Sequence, residues 1–212
     1  MYKLFRQKIT IIGSGRTDKG VHAIEQCANF KINKRVEDKY KFLNSVNFFL
    51  KNKFIAITDI VEKKLTFHSR FSAKERVYEY QIINRQGALS LDKKRAWHVK
   101  KKLNIDLFKK GAKTFEGTHD FSTFRAASCS AKSPIKKINS IRIKKKDDKI
   151  LITFKSKSFL QNQVRSMVGC LEYLACGKWS LDVFVKVFKS KKRKRCAPPA
   201  PPYGLYLKKI KY

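Results

Sequence analysis

The chain has 212 residues, of which 50 are Lys or Arg and 16 are Asp or Glu, so its formal net charge at pH 7 is +34. A hydrophobic fraction of 42% with 16 Phe residues is enough to fill a core, which excludes wholesale disorder. No apolar run is long enough to span a bilayer, and the first residues lack the pattern of a secretory signal. Five Cys without a Cys-x-x-Cys pair disfavour a disulfide framework or a zinc knuckle. These features predict a soluble, cytoplasmic, globular protein.

The positive charge predicts a polyanionic partner. Each phosphate that Lys or Arg neutralises releases condensed counterions, so a strongly basic chain gains affinity for nucleic acid. AT-rich coding sequence would account for part of the Lys excess but not for the depletion of Asp and Glu, whose codons also contain A and T. The alternative partner is a membrane surface, which requires a basic amphipathic helix, and none stands out. Nucleic acid is therefore favoured, and no membrane association is expected.

The first third of the chain alternates between strand and helix patterns. Residues 8–12 predict a strand that leads into a glycine-marked loop at 13–20, and residues 26–32 predict a second strand. Apolar side chains recur at helical spacing over residues 38–50, with Asp38 as the N-cap.

The middle of the chain adds further strands and one helix. Residues 54–57 begin a strand, residues 77–83 alternate like a strand, and residues 105–115 have a helical pattern. Residues 141–143 and 150–154 have period-two alternation on either side of a charged turn, which is the clearest hairpin in the chain.

Residues 160–174 form the clearest predicted helix, with an apolar stripe and a polar neighbouring face. A short helix at 181–188 precedes the basic run 191–195, and the proline-rich residues 197–202 force an extended segment. A final strand is predicted over 203–207. The fold class is therefore α+β, with antiparallel sheets.

The loop at residues 13–20 matches neither of two common nucleotide-binding loops. A dinucleotide-binding fingerprint needs a third glycine where Asp18 stands, and a carboxylate there would repel pyrophosphate. A phosphate-binding P-loop needs Lys and then Ser or Thr after Gly20, and the chain has Val21 and His22. No nucleotide cofactor is predicted. The four His residues are widely separated, so no metal site is predicted either.

Asp18 is an acidic residue in a tight turn, flanked by Arg16 and Lys19. Neighbouring cations favour the ionised carboxylate, which suits a nucleophile better than a general acid. The alternative interpretation is a turn Asp that only accepts hydrogen bonds from backbone N–H groups. The loop alone does not distinguish the two.

Several stretches together resemble the tRNA pseudouridine synthase A family. The signature is Gly-Arg-Thr-Asp-Lys-Gly-Val-His-Ala at residues 15–23. Five further stretches resemble the family in the same order and extend the resemblance over essentially the whole chain; they are residues 67–73, 76–80, 119–124, 159–169 and 200–207.

The resemblance implies both a fold and a reaction. The implied fold is pseudouridine-synthase-like, with two α/β halves, residues 1–69 and 70–212, whose antiparallel sheets flank a basic central cleft. The implied reaction converts uridine to pseudouridine without a cofactor or metal, at tRNA positions 38 to 40 in the anticodon stem-loop. The implied assembly is a homodimer.

The same resemblance assigns roles to individual residues. It makes Asp18 the nucleophile and Tyr78 the tyrosine that stacks on the target base and helps to move a proton. It makes Arg165 the basic partner of the carboxylate, and Arg16 a residue that holds the target nucleotide out of the stack. Taken alone, Tyr78 also fits a packed strand aromatic and Arg165 a surface arginine. Further RNA contacts are expected from Lys19, His22, Arg70, Phe121 and Asn162.

The resemblance has one gap. Family members begin with a strand and a helix ahead of the aspartate loop, and here the loop begins at Gly13. Either the true start lies upstream, or the chain is a truncation that lacks this strand and helix. One alternative function is therefore a catalytically impaired, RNA-binding relative of the enzyme. The complete set Asp18, Tyr78 and Arg165 favours the enzyme. A second alternative, a basic ribosome-associated or membrane-surface protein, predicts binding that ignores RNA shape.

Overall fold

The computed structural model describes residues 1–33 and 35–212, which form two compact units. The first unit consists of Met1–Gly15 and Cys27–Ser72, and the second consists of Arg16–Gln26 and Ala73–Tyr212. The structure thus groups the loop that carries Asp18 with the second unit, whereas the sequence assigned it to a half ending at residue 69. No helix in the described ranges is long and apolar enough to cross a membrane.

Strands and helices follow one another along the whole described chain. The helices are α1 (Tyr2–Phe5), α2 (Lys39–Leu50), α3 (Ile105–Lys113), α4 (Gln163–Ala175) and α5 (Leu181–Lys189). The strands are β1 (Ile12–Gly13), β2 (His22–Ala23), β3 (Ala28–Asn29), β4 (Glu75–Asn84), β5 (Trp97–Val99), β6 (Gly117–Asp120), β7 (Ile135–Lys146), β8 (Lys149–Ser156) and β9 (Leu205–Lys211).

The first unit contains a short two-stranded sheet and a capped helix. β1 and β3 pair antiparallel, with Ile12 opposite Asn29. Helix α2 begins where the sequence predicted, because the Asp38 carboxylate accepts a hydrogen bond from the Lys41 N–H at 2.8 Å.

The second unit is built on a seven-stranded mixed sheet. Its order is β2-β9-β4-β8-β7-β6, and β5 pairs with the end of β4. Most pairs are antiparallel, but β2–β9 and β4–β5 are parallel. The prediction of antiparallel sheets is therefore only partly right, and the fold is a mixed α/β fold. The pairing of β2 with β9 explains why the Asp18 loop belongs to this unit.

The core of the second unit lies between one face of the sheet and the helices. Alternate residues of β4 and β8 are fully buried, among them Tyr80, Ile82 and Phe154. The apolar stripe predicted for α4 is buried along its length, at 4% exposure or less for Leu160, Val164, Met167, Val168, Leu171 and Leu174. The helix that positions the candidate site is thus anchored in the core.

Two predicted strands are shorter than expected and one is absent. Within residues 8–12 and 26–32 only β1 and β3 are paired, with two residues each. Residues 54–57 are not a strand, because the Asn47 side chain occupies both backbone groups of Ile57, at 2.7 Å and 2.8 Å. A side-chain amide that satisfies a backbone N–H and C=O removes the need for a partner strand.

The remaining predicted elements are confirmed with small shifts. The 77–83 strand is β4, the 105–115 helix is α3, and the 181–188 helix is α5. The hairpin is β7 and β8, with Ile143 opposite Ile152. The predicted final strand begins two residues later than expected, at Leu205.

The cap of α3 gives a stability prediction. The Asn104 Oδ1 accepts hydrogen bonds from the Asp106 and Leu107 N–H groups at 3.0 Å and 3.1 Å, and Asn104 is otherwise exposed. Asn104→Ala should lower the free energy of unfolding by about 1 kcal/mol, measured by urea denaturation. Asn104→Asp keeps an acceptor and should retain most of that stability. Equal stability of the Ala variant and the parent would contradict this assignment of the cap.

Candidate active site

The loop that carries Asp18 is a tight turn. The Val21 N–H donates to the Asp18 carbonyl oxygen at 3.0 Å, and Gly20 has a φ of +86°. The positive φ favours glycine at this position, and a Cβ there would also lie tightly against Pro202, 3.1 Å from its Cγ. The turn holds the Asp18 side chain at 30% exposure.

Arg165, in the first turn of α4, binds this carboxylate. Its Nη1 donates to Asp18 Oδ2 at 3.1 Å and to Asn162 Oδ1 at 3.0 Å, and its Nε donates to the Ala200 carbonyl oxygen at 2.8 Å. The Arg165 side chain is 16% exposed. A guanidinium with three acceptors has one defined orientation, and a partly buried charge needs such partners.

Asn162 immediately precedes α4 in a left-handed conformation, with φ of +62° and ψ of 0°. Asn tolerates this region better than most residues. Its side chain makes no capping hydrogen bond to the helix and instead accepts from Arg165. Asn162 therefore helps to orient the arginine, in addition to any contact with RNA.

Tyr78 lies near the centre of β4, with its ring packed edge-on against Phe159 at 5.2 Å between centroids. Burial raises the pKa of Tyr78, the Arg76 charge lowers it, and the Asp18 charge raises it. The phenol is therefore a neutral hydrogen-bond donor at neutral pH. The register of β4 against β9 shifts between Val77 and Tyr78, and such bulges re-aim side chains next to active sites.

The three residues predicted to carry the chemistry are thus brought together in the second unit. Asp18 accepts from Arg165 through Oδ2, and Oδ1 has no hydrogen-bond partner among the residues that the structure describes. An oriented carboxylate with one unengaged oxygen, in the electrostatic range of a neutral phenol, is suited to nucleophilic attack. No cluster of three His, Cys, Asp or Glu side chains with metal-site geometry occurs within residues 1–33 and 35–212.

Three other predicted RNA contacts surround the loop. Arg16 and Lys19 are exposed on either side of Asp18. His22 lies in β2, where its Nε2 is 3.0 Å from the Lys94 carbonyl oxygen and its ring stacks on Tyr206 at 4.7 Å. The structure therefore gives His22 two intramolecular contacts, while Arg16 and Lys19 present their side chains to solvent.

The last two predicted contacts lie elsewhere. Arg70 is an exposed residue of the first unit, with its guanidinium 5.8 Å from the centroid of the Phe71 ring. Phe121 is fully buried at 0% exposure and packs in an aromatic cluster with Phe115 and Phe188. Phe121 is therefore a core residue here and offers no surface for direct contact with RNA.

The sequence missed one group that shapes the site, the carbonyl oxygen of Ala200. It accepts from Arg165 Nε through the backbone, so no side chain marks it in the sequence. The feature of the sequence that points to this carbonyl group is the run of prolines around Ala200, which predicts an extended segment with few N–H groups of its own.

The chain is similar in sequence to known proteins of one family. A family model described as tRNA pseudouridine synthase matches residues 112–212. A tRNA pseudouridine synthase A from Pelagibacter ubique is 56% identical over 210 residues, which cover 99% of this chain and 85% of the relative. The protein of the same name from Maricaulis maris is 38% identical over 99% of this chain and 84% of the relative, and that from Neorickettsia sennetsu is 39% identical over 99% and 85%.

The relatives share 38–56% identity with this chain over nearly its whole length. The structure also brings together a carboxylate, an arginine and a tyrosine from distant segments. The chain belongs to the tRNA pseudouridine synthase A family of isomerases.

Proposed function

We propose that this chain converts uridine to pseudouridine in the anticodon stem-loop of tRNA, at positions 38 to 40, with Asp18 as the nucleophile and without a cofactor. The observation that carries the proposal is the Asp18–Arg165 ion pair beside Tyr78. The names of the relatives support tRNA pseudouridylation as the reaction class.

The chemistry of the reaction fits these groups. The glycosidic bond from N1 of the base to the ribose breaks, and a bond from C5 to the same carbon forms. The C5 proton leaves and N1 takes up a proton, so the product is an isomer of uridine. Attack of Asp18 on the ribose or on the base would each generate a covalent intermediate, and both need an ionised, oriented carboxylate. Arg165 donates a hydrogen bond to Asp18 Oδ2 and so fixes the direction of the carboxylate.

The target nucleotide must leave the helical stack before it reaches Asp18. Unstacking costs a few kcal/mol, and stacking of the base on an aromatic ring recovers about 1–3 kcal/mol. Tyr78 is the proposed stacking platform, and the exposed Arg16 is proposed to occupy the space that the base leaves. The charge of +34 supplies affinity for the tRNA backbone, with Lys19 and Arg70 as proposed contacts.

We propose in addition that the protein acts in the cytoplasm as a homodimer, as the resemblance to the family implies. Gel filtration with light scattering gives the mass directly, and a monomer at micromolar concentration would contradict this part of the proposal.

The nucleophile assignment is tested by Asp18→Asn. We expect no measurable release of tritium from tRNA labelled at uridine C5, while the affinity for tRNA stays within about fivefold, because binding rests on Lys and Arg contacts with phosphates. Asp182→Asn, an equal charge change at an exposed residue of α5, is the control and should leave turnover unchanged. Turnover by Asp18→Asn near the parental rate would refute the assignment.

The substrate position is tested by mapping pseudouridine in bulk tRNA after incubation with the protein. Carbodiimide modification followed by primer extension should give stops that correspond to positions 38 to 40 in the parent reaction. Asp18→Asn should give none. Stops confined to other arms of the tRNA would contradict the anticodon stem-loop and leave the isomerase activity intact.

The protonation state of Tyr78 predicts a pH dependence. Burial raises the pKa of Tyr78 above its ordinary value of 10.0, so the phenol stays protonated throughout neutral and mildly alkaline pH. Tyr78→Phe should lower turnover by a factor that is constant from about pH 7 to about pH 9. A factor that grows with pH over that range would show that the phenolate is the reactive form and would contradict the prediction.

A further inference from the structure

A proline-rich segment lies along α4 and contacts the helix close to the active site. This segment, residues 197–202, is termed here the proline strap. The Ala200 N–H donates to the Arg165 carbonyl oxygen at 2.9 Å. One turn further along the helix, a Cβ added at Gly169 would overlap the carbonyl oxygen of Pro198. The strap is therefore in backbone contact with the helix at two points.

The strap also contacts the catalytic side chain. The Ala200 carbonyl oxygen accepts from Arg165 Nε at 2.8 Å, so that Ala200 uses both its backbone groups on Arg165. A guanidinium is planar and rigid, so the direction in which Nε points also sets the direction of Nη1. Nη1 is the atom that binds Asp18. A shift of the strap would therefore turn the guanidinium away from the carboxylate.

Few backbone donors are available to hold the strap itself. Four of its six residues are prolines, which have no N–H. The N–H of Ala200 is used on Arg165, and that of Ala197 is bonded to the Cys170 thiol. The position of the strap therefore depends also on contacts with its carbonyl oxygens and on shape.

Two residues outside the strap supply those contacts. The Tyr80 hydroxyl, on a side chain with 0% exposure, donates to the Pro201 carbonyl oxygen at 2.7 Å. Burial raises the pKa of Tyr80, so the hydroxyl remains a donor at every working pH. Gly169 allows the strap to approach α4 more closely than any other residue at that position would permit.

We propose that Gly169 and Tyr80 are positioning residues for Arg165, and that they act by fixing the proline strap. The expected effect on kcat rests on the proposed function. The expected effect on the positions of the strap and of Arg165 does not. Tyr80 thus differs from its neighbour Tyr78: its hydroxyl is bonded to the Pro201 carbonyl oxygen, and it acts through the strap on the arginine.

The kinetic experiment compares two variants and a control. Tyr80→Phe removes only the hydroxyl and should lower kcat about fivefold, with KM for tRNA within about twofold. Gly169→Ala displaces the strap and should lower kcat about a hundredfold, since a small misplacement of a catalytic group has effects of that size. Gly87→Ala adds a Cβ that meets nothing within 4 Å and should leave both constants unchanged.

A second measurement does not depend on activity. The Arg165 Nε–H, assigned by its loss in Arg165→Lys, should exchange slowly with solvent in the ¹⁵N-labelled parent protein because it is bonded to Ala200. We expect exchange at least about tenfold faster in Tyr80→Phe and in Gly169→Ala, and unchanged exchange in Gly87→Ala. If the Arg165 Nε–H of Tyr80→Phe exchanges at the parental rate, the proposal is overturned. This measurement decides the matter even if Gly169→Ala does not fold.

The two experiments separate the two proposals. An inactive parent with Arg165 exchange that responds to Tyr80→Phe would contradict the proposed function and support the positioning role. An active parent whose kcat and Arg165 exchange are both unaffected by Tyr80→Phe would contradict the positioning role and leave the function intact. A combined Arg165→Lys and Tyr80→Phe variant should be no slower than Arg165→Lys alone, whereas additive losses would show a general structural effect.

Discussion

The ion pair between Asp18 and Arg165 is the interaction on which the rest of the site depends. Both side chains are largely withdrawn from water, at 30% and 16% exposure, and removing charges from water costs several kcal/mol unless they are paired and hydrogen-bonded. Arg165 is hydrogen-bonded in addition to Asn162 Oδ1 and to the Ala200 carbonyl oxygen, which both accept from it. Asp18 Oδ1 has no hydrogen-bond partner among residues 1–33 and 35–212, and this is the oxygen available for the proposed nucleophilic attack.

The partners of that pair come from segments far apart in the chain, and the sheet brings them together. Asp18 and Arg165 are separated by 147 positions. Strand β2, four residues after Asp18, pairs in parallel with β9, and β9 pairs with β4, the strand that carries Tyr78. The last strand of the chain therefore lies between the aspartate loop and the tyrosine strand. The site requires that the C-terminal strand be in place.

Tyr78 and Tyr80 lie on the same face of β4, but their surroundings differ. Tyr78 meets Phe159 at the edge of the core and lies in the electrostatic range of Asp18, whereas Tyr80 is fully buried and holds the carbonyl oxygen of Pro201. Burial raises the pKa of each, so both hydroxyls are donors at neutral pH. Two positions along β4 thus separate the proposed substrate-facing tyrosine from the proposed positioning tyrosine.

The sequence by itself determined the elements whose signal is local: the capped helix after Asp38, the buried stripe of α4, and the hairpin of β7 and β8. The roles of Asp18, Tyr78 and Arg165 stay predictions that rest on the family resemblance. The sequence did not predict the parallel pairing of β2 with β9, the absence of a strand at residues 54–57, the burial of Phe121 or the role of the Ala200 carbonyl oxygen. Each of these depends on a partner distant in sequence, such as the Asn47 amide for Ile57, or on a backbone atom that every residue possesses. Periodicity and helix caps depend on neighbouring residues, so they can be recognised in the sequence. The choice of a distant partner depends on how the whole chain packs, so only the tertiary structure decides it.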